Sequence, residues 1–389
     1  MSRALPRWAL PALALLLALL AAAATDVRRT GWDFKAYRLC IDSIARGESP
    51  YLSDRVVDGI PYPCTYPPLA YDLARPFALV GPENGLRLWN ASKAVVLLLL
   101  LLLWARLLPG GLGLPGALFI LAAFGSPFWA DFRCGNAAVF EQGLLWAGLA
   151  ALVFEHDGLF VLCVAAAAQA KMLPAALLVL LLLRPKPRWG LFAGGCALFA
   201  GFWSLNRLLH GQMALDYLRM LSAPEKAWRW ERGAGNASGY AFLTEWVDLL
   251  GVGGPARLRA ALGSWALWTL GLLALSAPRL LALARRWEGD ARARFETVAL
   301  GTLLYALVVP RMKDYSYILL LPLALHALRC ERSKVLRGLL LAAAMVASAK
   351  GLAVRLGLGA FAFTFEYFRL YTLLLSWAAL ARRREPETA

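Results

Sequence analysis

The chain has 389 residues, of which 60% are hydrophobic, with a mean hydropathy of +0.57 and a formal net charge of +16. In a soluble protein this charge would indicate a nucleic-acid partner, but no polar stretch here is long enough to bury a core of its own. The composition therefore excludes a soluble nucleic-acid-binding protein and predicts a single integral membrane domain over residues 1–389.

Long apolar runs recur along the chain, and five of them approach the roughly 20 residues that a helix needs to cross a bilayer. They cover residues 8–24, 88–108, 112–130, 191–209 and 261–284. Together with shorter runs they predict an all-α fold, a polytopic bundle of about 10–12 transmembrane helices. The first run follows two arginines, as a secretory signal does. It is longer than a typical signal core, so we expect it to be retained.

The distribution of charge predicts the topology. Basic residues with few acidic partners occur at Arg3 and Arg7 and in the segments 184–188, 284–294, 329–337 and 381–384, which the positive-inside rule places in the cytoplasm. The two longest polar segments are balanced instead. Residues 25–87 hold eight basic and eight acidic side chains, and residues 210–258 hold five of each. We predict that these are extracytoplasmic loops of a multi-pass plasma-membrane protein whose two termini are cytoplasmic.

The apolar run 159–183 is interrupted by QAKMLP at residues 169–174. A single span would place the basic segment 184–188 outside, whereas two short arms that meet at Lys171 keep it inside. Backbone breaks at membrane depth are tolerated only where they line an enclosed or watery cavity. The break therefore predicts a polar cavity that contains Lys171.

This topology gathers the unusual polar residues at the extracytoplasmic face. They are Asp33, Lys35, Asp131, Arg133, Asn136, Lys171, Arg311, Lys313 and Asp314. An ionisable side chain at the centre of a membrane helix costs about 2.5–3.5 kcal/mol on insertion scales, so such a cluster indicates function. Cations outnumber carboxylates, and no metal-ligand spacing, P-loop or nucleophile motif is present. The predicted ligand is an anionic lipid phosphate, and we expect no metal or other cofactor.

Sugar transfer from a phospho-polyprenol suits this composition. The acceptor hydroxyl must lose a proton to a base, whereas the departing phosphate needs cations rather than an acid. We assign the base to Asp33 and the phosphate to Lys171, Arg311 and Lys313, with Arg133 in support. The predicted substrate pocket contains Tyr37, Tyr51, Tyr66, Asn136, Asp314 and Tyr315. Its partners would be the donor, a lipid or glycan acceptor and membrane lipids, with no nucleic acid.

Other interpretations stay open at this point. Asp131 and Asp314 would permit a glycosidase, which usually needs two carboxylates, although the surrounding cations do not favour one. A transporter or flippase for an anionic lipid or solute would also use a broken helix and cations at the midplane. For Cys40 and Cys64, both in the first loop, free thiols are favoured over a disulfide.

Several short motifs, taken in their order and spacing, resemble glycosyltransferase family 87. They are WDFKAYRLC (32–40), RGESPY (46–51), TYPP (65–68), FRCGN (132–136), QAKMLP (169–174) and PRMKDYSY (310–317). That family contains the polyprenol-phosphate-mannose-dependent alpha-(1→2)-mannosyltransferases and belongs to the glycosyltransferase C superfamily.

The resemblance implies a multi-helix fold whose first external loop supplies the catalytic aspartate, which corresponds to Asp33. It also implies a metal-independent, inverting transfer of a sugar, mannose in that family, from a β-linked lipid phosphate. The sequence departs from the pattern at Cys134 and Gly135, where many members have Gly-Gln, and at PRMKDY, where others have Trp and His. The identity of the sugar and of the acceptor depends on these positions.

Overall fold

The computed structural model describes residues 30–51, 56–57, 60–61, 64–222 and 232–383, so the predicted first membrane helix (8–24) lies outside the described residues. Within the described part, helices make up nearly all of the regular structure. A two-stranded antiparallel hairpin, β1 (Val56–Val57) with β2 (Ile60–Pro61), lies in the first loop. The all-α prediction is confirmed.

Sixteen α-helices follow one another in the described part of the chain. They are α1 (Trp32–Ala45), α2 (Pro68–Leu79), α3 (Pro82–Leu107), α4 (Gly113–Ala122), α5 (Pro127–Cys134), α6 (Ala138–Val153), α7 (Asp157–Ala170), α8 (Trp189–His210), α9 (Gln212–Ser222), α10 (Gly239–Leu249), α11 (Gly254–Arg285), α12 (Ala291–Val308), α13 (Leu321–Cys330), α14 (Lys334–Met345), α15 (Lys350–Arg355) and α16 (Phe368–Ala381). Five 3₁₀ segments lie between them: Ala123–Gly125, Leu173–Leu183, Gly233–Gly235, Asp314–Leu320 and Gly359–Glu366.

Among the described residues, α3 and α11 are each long and apolar enough to cross a membrane as single helices. They contain 26 and 32 residues, against the roughly 20 that a span needs. A third candidate span combines α4 and its 3₁₀ extension with α5, and its two halves are bent by 62°. Other apolar helices, such as α6, α7 and α16, have 14 to 16 residues. Several predicted spans are therefore divided among shorter elements.

The bend between α4 and α5 differs from the continuous run predicted over 112–130. Residues 124, 125 and 126 have positive φ values of 57°, 71° and 55°. A right-handed helix cannot continue through left-handed residues, so the chain turns there. Asp131 and Arg133 consequently lie on a helix rather than in a loop.

The break predicted at 169–174 is present. Helix α7 ends at Ala170, Lys171 takes an extended conformation (φ −142°, ψ 132°), and the 3₁₀ segment begins at Leu173. Pro174 lacks a backbone donor, so it fits the first turn of a new segment better than the interior of a helix. Lys171 therefore lies between two short arms, as the charge pattern indicates.

The elements also separate two ends of the bundle. At one end, the Asn206 side chain of α8 accepts a hydrogen bond from the Leu69 amide of α2 at 2.9 Å, and α12 leads into residues 310–315. At the other end, Arg329 of α13 donates to the Leu112 carbonyl at 2.9 Å. The described parts of the two balanced polar segments thus lie at the first end. The basic segments share partners at the second, where Arg184 and Arg294 both pair with Glu155 and Arg383 donates to Glu296 and to Cys330 Sγ.

The expectation of free thiols in the first loop is wrong, because Cys40 and Cys64 form a disulfide. Their Cα atoms are 6.2 Å apart, within the range that a disulfide spans. Both cysteines belong to the hydrophobic cluster that packs α1 against α2, so folding of this loop brings them together. Disulfides persist in oxidising compartments, which agrees with an extracytoplasmic loop.

Replacing both cysteines by serine should destabilise the protein. The bond closes a loop with a sequence separation of 24, and its loss should lower the free energy of unfolding by about 2–4 kcal/mol. Thermal unfolding in non-reducing buffer measures this as a lower midpoint. Replacement of the exposed free Cys196 by serine is the matched control. An unchanged midpoint in the double variant would contradict the prediction.

Candidate active site

The site begins at the first turn of α1. Gly31 has a φ of +75°, and its amide donates a hydrogen bond to the Arg133 carbonyl at 2.8 Å, which joins the start of α1 to the end of α5. Asp33 is half-buried, and its Oδ2 accepts a hydrogen bond from Asn136 Nδ2 at 2.6 Å. The positive end of the helix dipole stabilises a carboxylate in this turn. The amide of Asn136 orients that carboxylate without donating a titratable proton.

Asn136 is held in turn by a buried ion pair that the sequence analysis did not identify. Lys93 Nζ lies 2.7 Å from Asp131 Oδ1, and both side chains are fully buried. The same ammonium group donates to the carbonyls of Asp131 (2.9 Å) and Asn136 (3.2 Å). An ammonium group has three protons, and three oxygens accept them here. Lys93 on α3 therefore fixes both ends of the turn 131–136.

Close packing holds the same turn against α1. Trp89 Nε1 donates to the Gly135 carbonyl at 3.1 Å. Gly135 has a φ of +70°, and a Cβ there would lie 2.9 Å from the Cβ of Phe34 and 3.2 Å from the Cα of Gly31. A larger residue would separate α5 from α1, so Gly135 permits the approach that brings Asn136 to Asp33.

Three predicted pocket residues form one aromatic group in the first loop. The Tyr37 hydroxyl donates to the Tyr66 hydroxyl at 3.3 Å, and the Tyr51 hydroxyl donates to the Tyr66 carbonyl at 2.8 Å. Burial raises the pKa of Tyr37 and of Tyr66 well above the usual value, and the charge of Asp33 raises each further. Both hydroxyls stay neutral at physiological pH, so these side chains shape the site rather than exchange protons.

Lys171, in the break after α7, contacts two partners. Its Nζ lies 2.5 Å from Oε2 of Glu141, a buried residue of α6, and 5.1 Å from the centre of the Tyr315 ring. Lys313 lies 6.0 Å from the same ring. The structure thus brings two of the predicted phosphate-binding lysines to one aromatic side chain, at distances typical of cation–π interactions.

A small cavity of about 30 Å³ joins Lys171 to a second predicted cation, Arg311, and Glu141 and Tyr305 also line it. Arg133 is not part of this cavity. It is exposed, and its guanidinium lies 5.8 Å from the Trp32 ring beside Asp33. Three of the four predicted phosphate-binding residues, Lys171, Arg311 and Lys313, therefore lie near one another. The fourth, Arg133, lies at the end of α5 beside the start of α1.

The segment 310–315 is anchored from two sides. Asn236, in the second loop, accepts a hydrogen bond from the Met312 amide at 2.8 Å. Asp314 forms an ion pair with Arg369 of α16, whose Nε donates to the Phe124 carbonyl at 2.9 Å. The C-terminal helix and the bend before α5 therefore share in positioning Asp314 and its neighbours.

The described part of this site carries more positive than negative charge. Its cations are Lys93, Arg133, Lys171, Arg311, Lys313 and Arg369, and its carboxylates are Asp33, Asp131, Glu141 and Asp314. The resulting net charge of +2 favours an anionic ligand. Among the described residues, no group of three or more His, Cys, Asp or Glu side chains has metal-binding geometry.

Four positioning residues escaped the sequence analysis: Lys93, Glu141, Asn236 and Arg369. A signal existed for three of them, because Glu141 and Arg369 are the single charges of apolar helices and Lys93 lies inside the apolar run 88–108. For Asn236 no such signal exists, since an asparagine in a polar loop is ordinary.

Replacement of Lys93 by methionine should destabilise the protein strongly. The change leaves Asp131 buried without its cation, which costs about 3–5 kcal/mol for a broken buried pair. The double variant Lys93→Met/Asp131→Leu removes both charges and should recover much of the thermal midpoint while glycosyl transfer stays low, because the turn 131–136 has lost its three hydrogen bonds from Lys93. A double variant as unstable as the single one would show that the pair is not a unit.

The comparison with protein families agrees with the motifs TYPP, FRCGN and QAKMLP. The model of glycosyltransferase family 87 matches residues 65–310, a range that includes Lys93, Asn136 and Lys171 but neither Asp33 nor Arg311. The chain is also similar to the crystal structure of ArnT from Cupriavidus metallidurans bound to undecaprenyl phosphate, with 16% identity and a TM-score of 0.37 over 97% of this chain and 77% of that chain. Among curated proteins, none matches the sequence. Since the family model covers more than half of the chain, this protein belongs to glycosyltransferase family 87.

Proposed function

We propose that this glycosyltransferase moves a sugar, with mannose as the first candidate, from a polyprenyl-phosphate donor to a lipid or glycan acceptor at the extracytoplasmic face. The observation that carries the proposal is the oriented carboxylate of Asp33 at the same end of the bundle as the cations around Lys171. Membership of the family supports glycosyl transfer, and the excess of cations supports a phosphate as the leaving group.

The proposed reaction is a single displacement. Asp33 accepts the proton of the acceptor hydroxyl, whose oxygen forms a bond to the anomeric carbon. The bond from that carbon to the phosphate oxygen breaks, and its electron pair leaves with polyprenyl phosphate. Attack occurs opposite the leaving group, so a β-linked donor gives an α-linked product with inversion. Such a reaction needs one base and a cationic leaving-group site, which matches the assigned roles.

The remaining side chains have supporting roles in this proposal. Asn136 aims the carboxylate of Asp33, and Lys171, Arg311 and Lys313 stabilise the developing phosphate charge. Arg133, at the end of α5 and beside the Trp32 ring of α1, adds positive charge near the base. The aromatic group of Tyr37, Tyr51 and Tyr66 offers flat surfaces for a sugar or a prenyl chain. The Tyr315 ring lies near both Lys171 and Lys313. Because protein cations supply the positive charge, the proposed transfer needs no metal.

The proposed orientation places both termini in the cytoplasm of a bacterial cell and the site on the outer side of its inner membrane. The disulfide near the site and the basic segments at the opposite end of the bundle support it. Labelling of cysteines introduced at Glu48 and at Lys334, which are exposed at the two ends of the bundle, would test this orientation. The native Cys196 lies on α8 and does not serve this purpose.

Asp33→Asn should lower transfer by about 10²–10⁴-fold, the usual contribution of a general base. The assay follows radiolabelled mannose from synthetic polyprenyl-phosphate mannose into membrane lipids and glycans, with EDTA present throughout. Asp42→Asn is the matched control, an exposed aspartate on the same helix. Full activity of the Asp33 variant would remove the assignment, and loss of wild-type activity in EDTA would contradict metal independence.

Lys171→Gln should reduce kcat/KM by about 10–100-fold, because a hydrogen bond to a charged phosphate contributes about 1.5–3 kcal/mol. Lys171→Arg keeps the charge and should retain more activity than Lys171→Gln. Lys334→Gln, an exposed lysine at the opposite end, serves as the control. Equal activity of the Gln and Arg variants would show that charge at this position does not act on the phosphate.

A further inference from the structure

A second cluster of charge lies at the end of the bundle opposite Asp33. There, three arginines converge on one buried carboxylate. Glu296 Oε1 accepts hydrogen bonds from Arg292 Nε (3.1 Å) and Arg383 Nη1 (2.6 Å), and Oε2 accepts one from Arg279 Nη2 (2.8 Å). Glu296 is 5% exposed and Arg279 is 9% exposed. One carboxylate thus accepts hydrogen bonds from three guanidinium groups, and its buried contact with Arg279 is poorly screened by water.

A cavity of about 330 Å³ lies against this cluster. Its charged lining consists of Arg279, Arg286, Arg292, Arg332 and Arg383, with Asp290 and Glu296. Five arginines and two carboxylates give the wall a net charge of +3. A neighbouring cavity of about 270 Å³ shares Arg332 and Arg383 with the first. The space is large enough for a phosphate group and part of the molecule that carries it.

The cavity is distinct from the proposed donor site. Glu296 lies in the second turn of α12, whereas Arg311 follows the end of that helix. The 18 residues of α12 span about 27 Å, which is nearly the thickness of the hydrocarbon core. The cavity also lies at the end of the candidate membrane span α11, among the basic segments. In the proposed orientation it lies at the level of the cytoplasmic lipid headgroups.

We propose that this cavity binds a phosphate-bearing anion and that its source is the headgroup of an anionic membrane lipid. Guanidinium groups bind phosphate oxygens through pairs of parallel hydrogen bonds. A phosphate in the cavity would also offset the repulsion among the three arginines that share Glu296. Basic pockets between membrane helices on the cytoplasmic side are suited to such headgroups. The positive-inside rule alone accounts for exposed charge at this surface. It does not account for an arginine and a glutamate buried beneath a cavity.

The test uses the full-length protein in phosphatidylcholine nanodiscs with and without phosphatidylglycerol. Thermal unfolding and native mass spectrometry measure stabilisation and the number of retained lipids. Arg292→Gln and Arg332→Gln are suitable variants, because the Arg292 side chain is 55% exposed and Arg332 is exposed, so folding does not depend on their burial. Arg106→Gln is the control, an exposed arginine at the same end of the bundle in the last turn of α3 and outside the cavity.

Phosphatidylglycerol should raise the midpoint of the wild type and of Arg106→Gln, and each cavity variant should bind it about tenfold or more weakly. An equal effect of the lipid on all four proteins would overturn the proposal, because the binding would then reflect surface charge only. Inorganic phosphate forms the second arm. Stabilisation by millimolar phosphate that is equal to that by the lipid, and lost in the same variants, would keep the anion site but contradict its lipid source.

Discussion

The geometry of the site depends on the buried ion pair between Lys93 and Asp131. Removing two charges from water costs several kcal/mol for each ion, so such a pair persists only when its remaining hydrogen-bonding capacity is satisfied. Here each proton of Lys93 has an acceptor, and Asp131 Oδ2 accepts a further hydrogen bond from the Val139 amide at 3.3 Å. The pair ties the turn 131–136 to α3, a helix long enough to cross the membrane. Asn136 then transmits that fixed position to Asp33, so the position of the proposed base depends on α3 although Asp33 itself lies on α1.

The other ion pairs of the site repeat this arrangement. Lys171, in a break, is paired with Glu141 on the continuous helix α6, and Asp314, at the start of a 3₁₀ segment, is paired with Arg369 on α16. In each case an irregular backbone segment is fastened to a regular helix by one buried or half-buried charge. Irregular backbone at membrane depth needs polar surroundings, and charged side chains need partners. Both requirements are met in one place, which explains why breaks and charges coincide at this end of the bundle.

Part of this organisation could be predicted from the sequence. Apolar runs identified the helices α3, α8 and α11, and the asymmetry of charge identified the break at Lys171, because these are local or cumulative signals. The bend at 124–126 was not predicted, although Gly125 and Pro127 are residues that often end a helix. Its extent depends on Phe124 and Ser126, which adopt positive φ although neither residue type favours it. The ion pairs are also beyond sequence reasoning, because Lys93 and Asp131 are separated by 38 positions and Lys171 and Glu141 by 30. A charge within an apolar run indicates that it has a partner of opposite charge, but only the tertiary structure identifies that partner.

The charge balance of the site resolves a conflict between binding and topology. In the proposed orientation, an anionic donor at the extracytoplasmic face needs cations there, whereas the positive-inside rule disfavours an excess of lysine and arginine on that side. Three cations of the site are each matched to a carboxylate: Lys93, Lys171 and Arg369. The net charge at this end therefore stays small, while Lys171 and Arg311 line one small cavity. At the other end no such constraint acts, and the chain accumulates arginines around a single glutamate. The two ends thus use the same residue types but differ in the number of cations per carboxylate. The orientation in the membrane determines how large that excess of cations can be at each end.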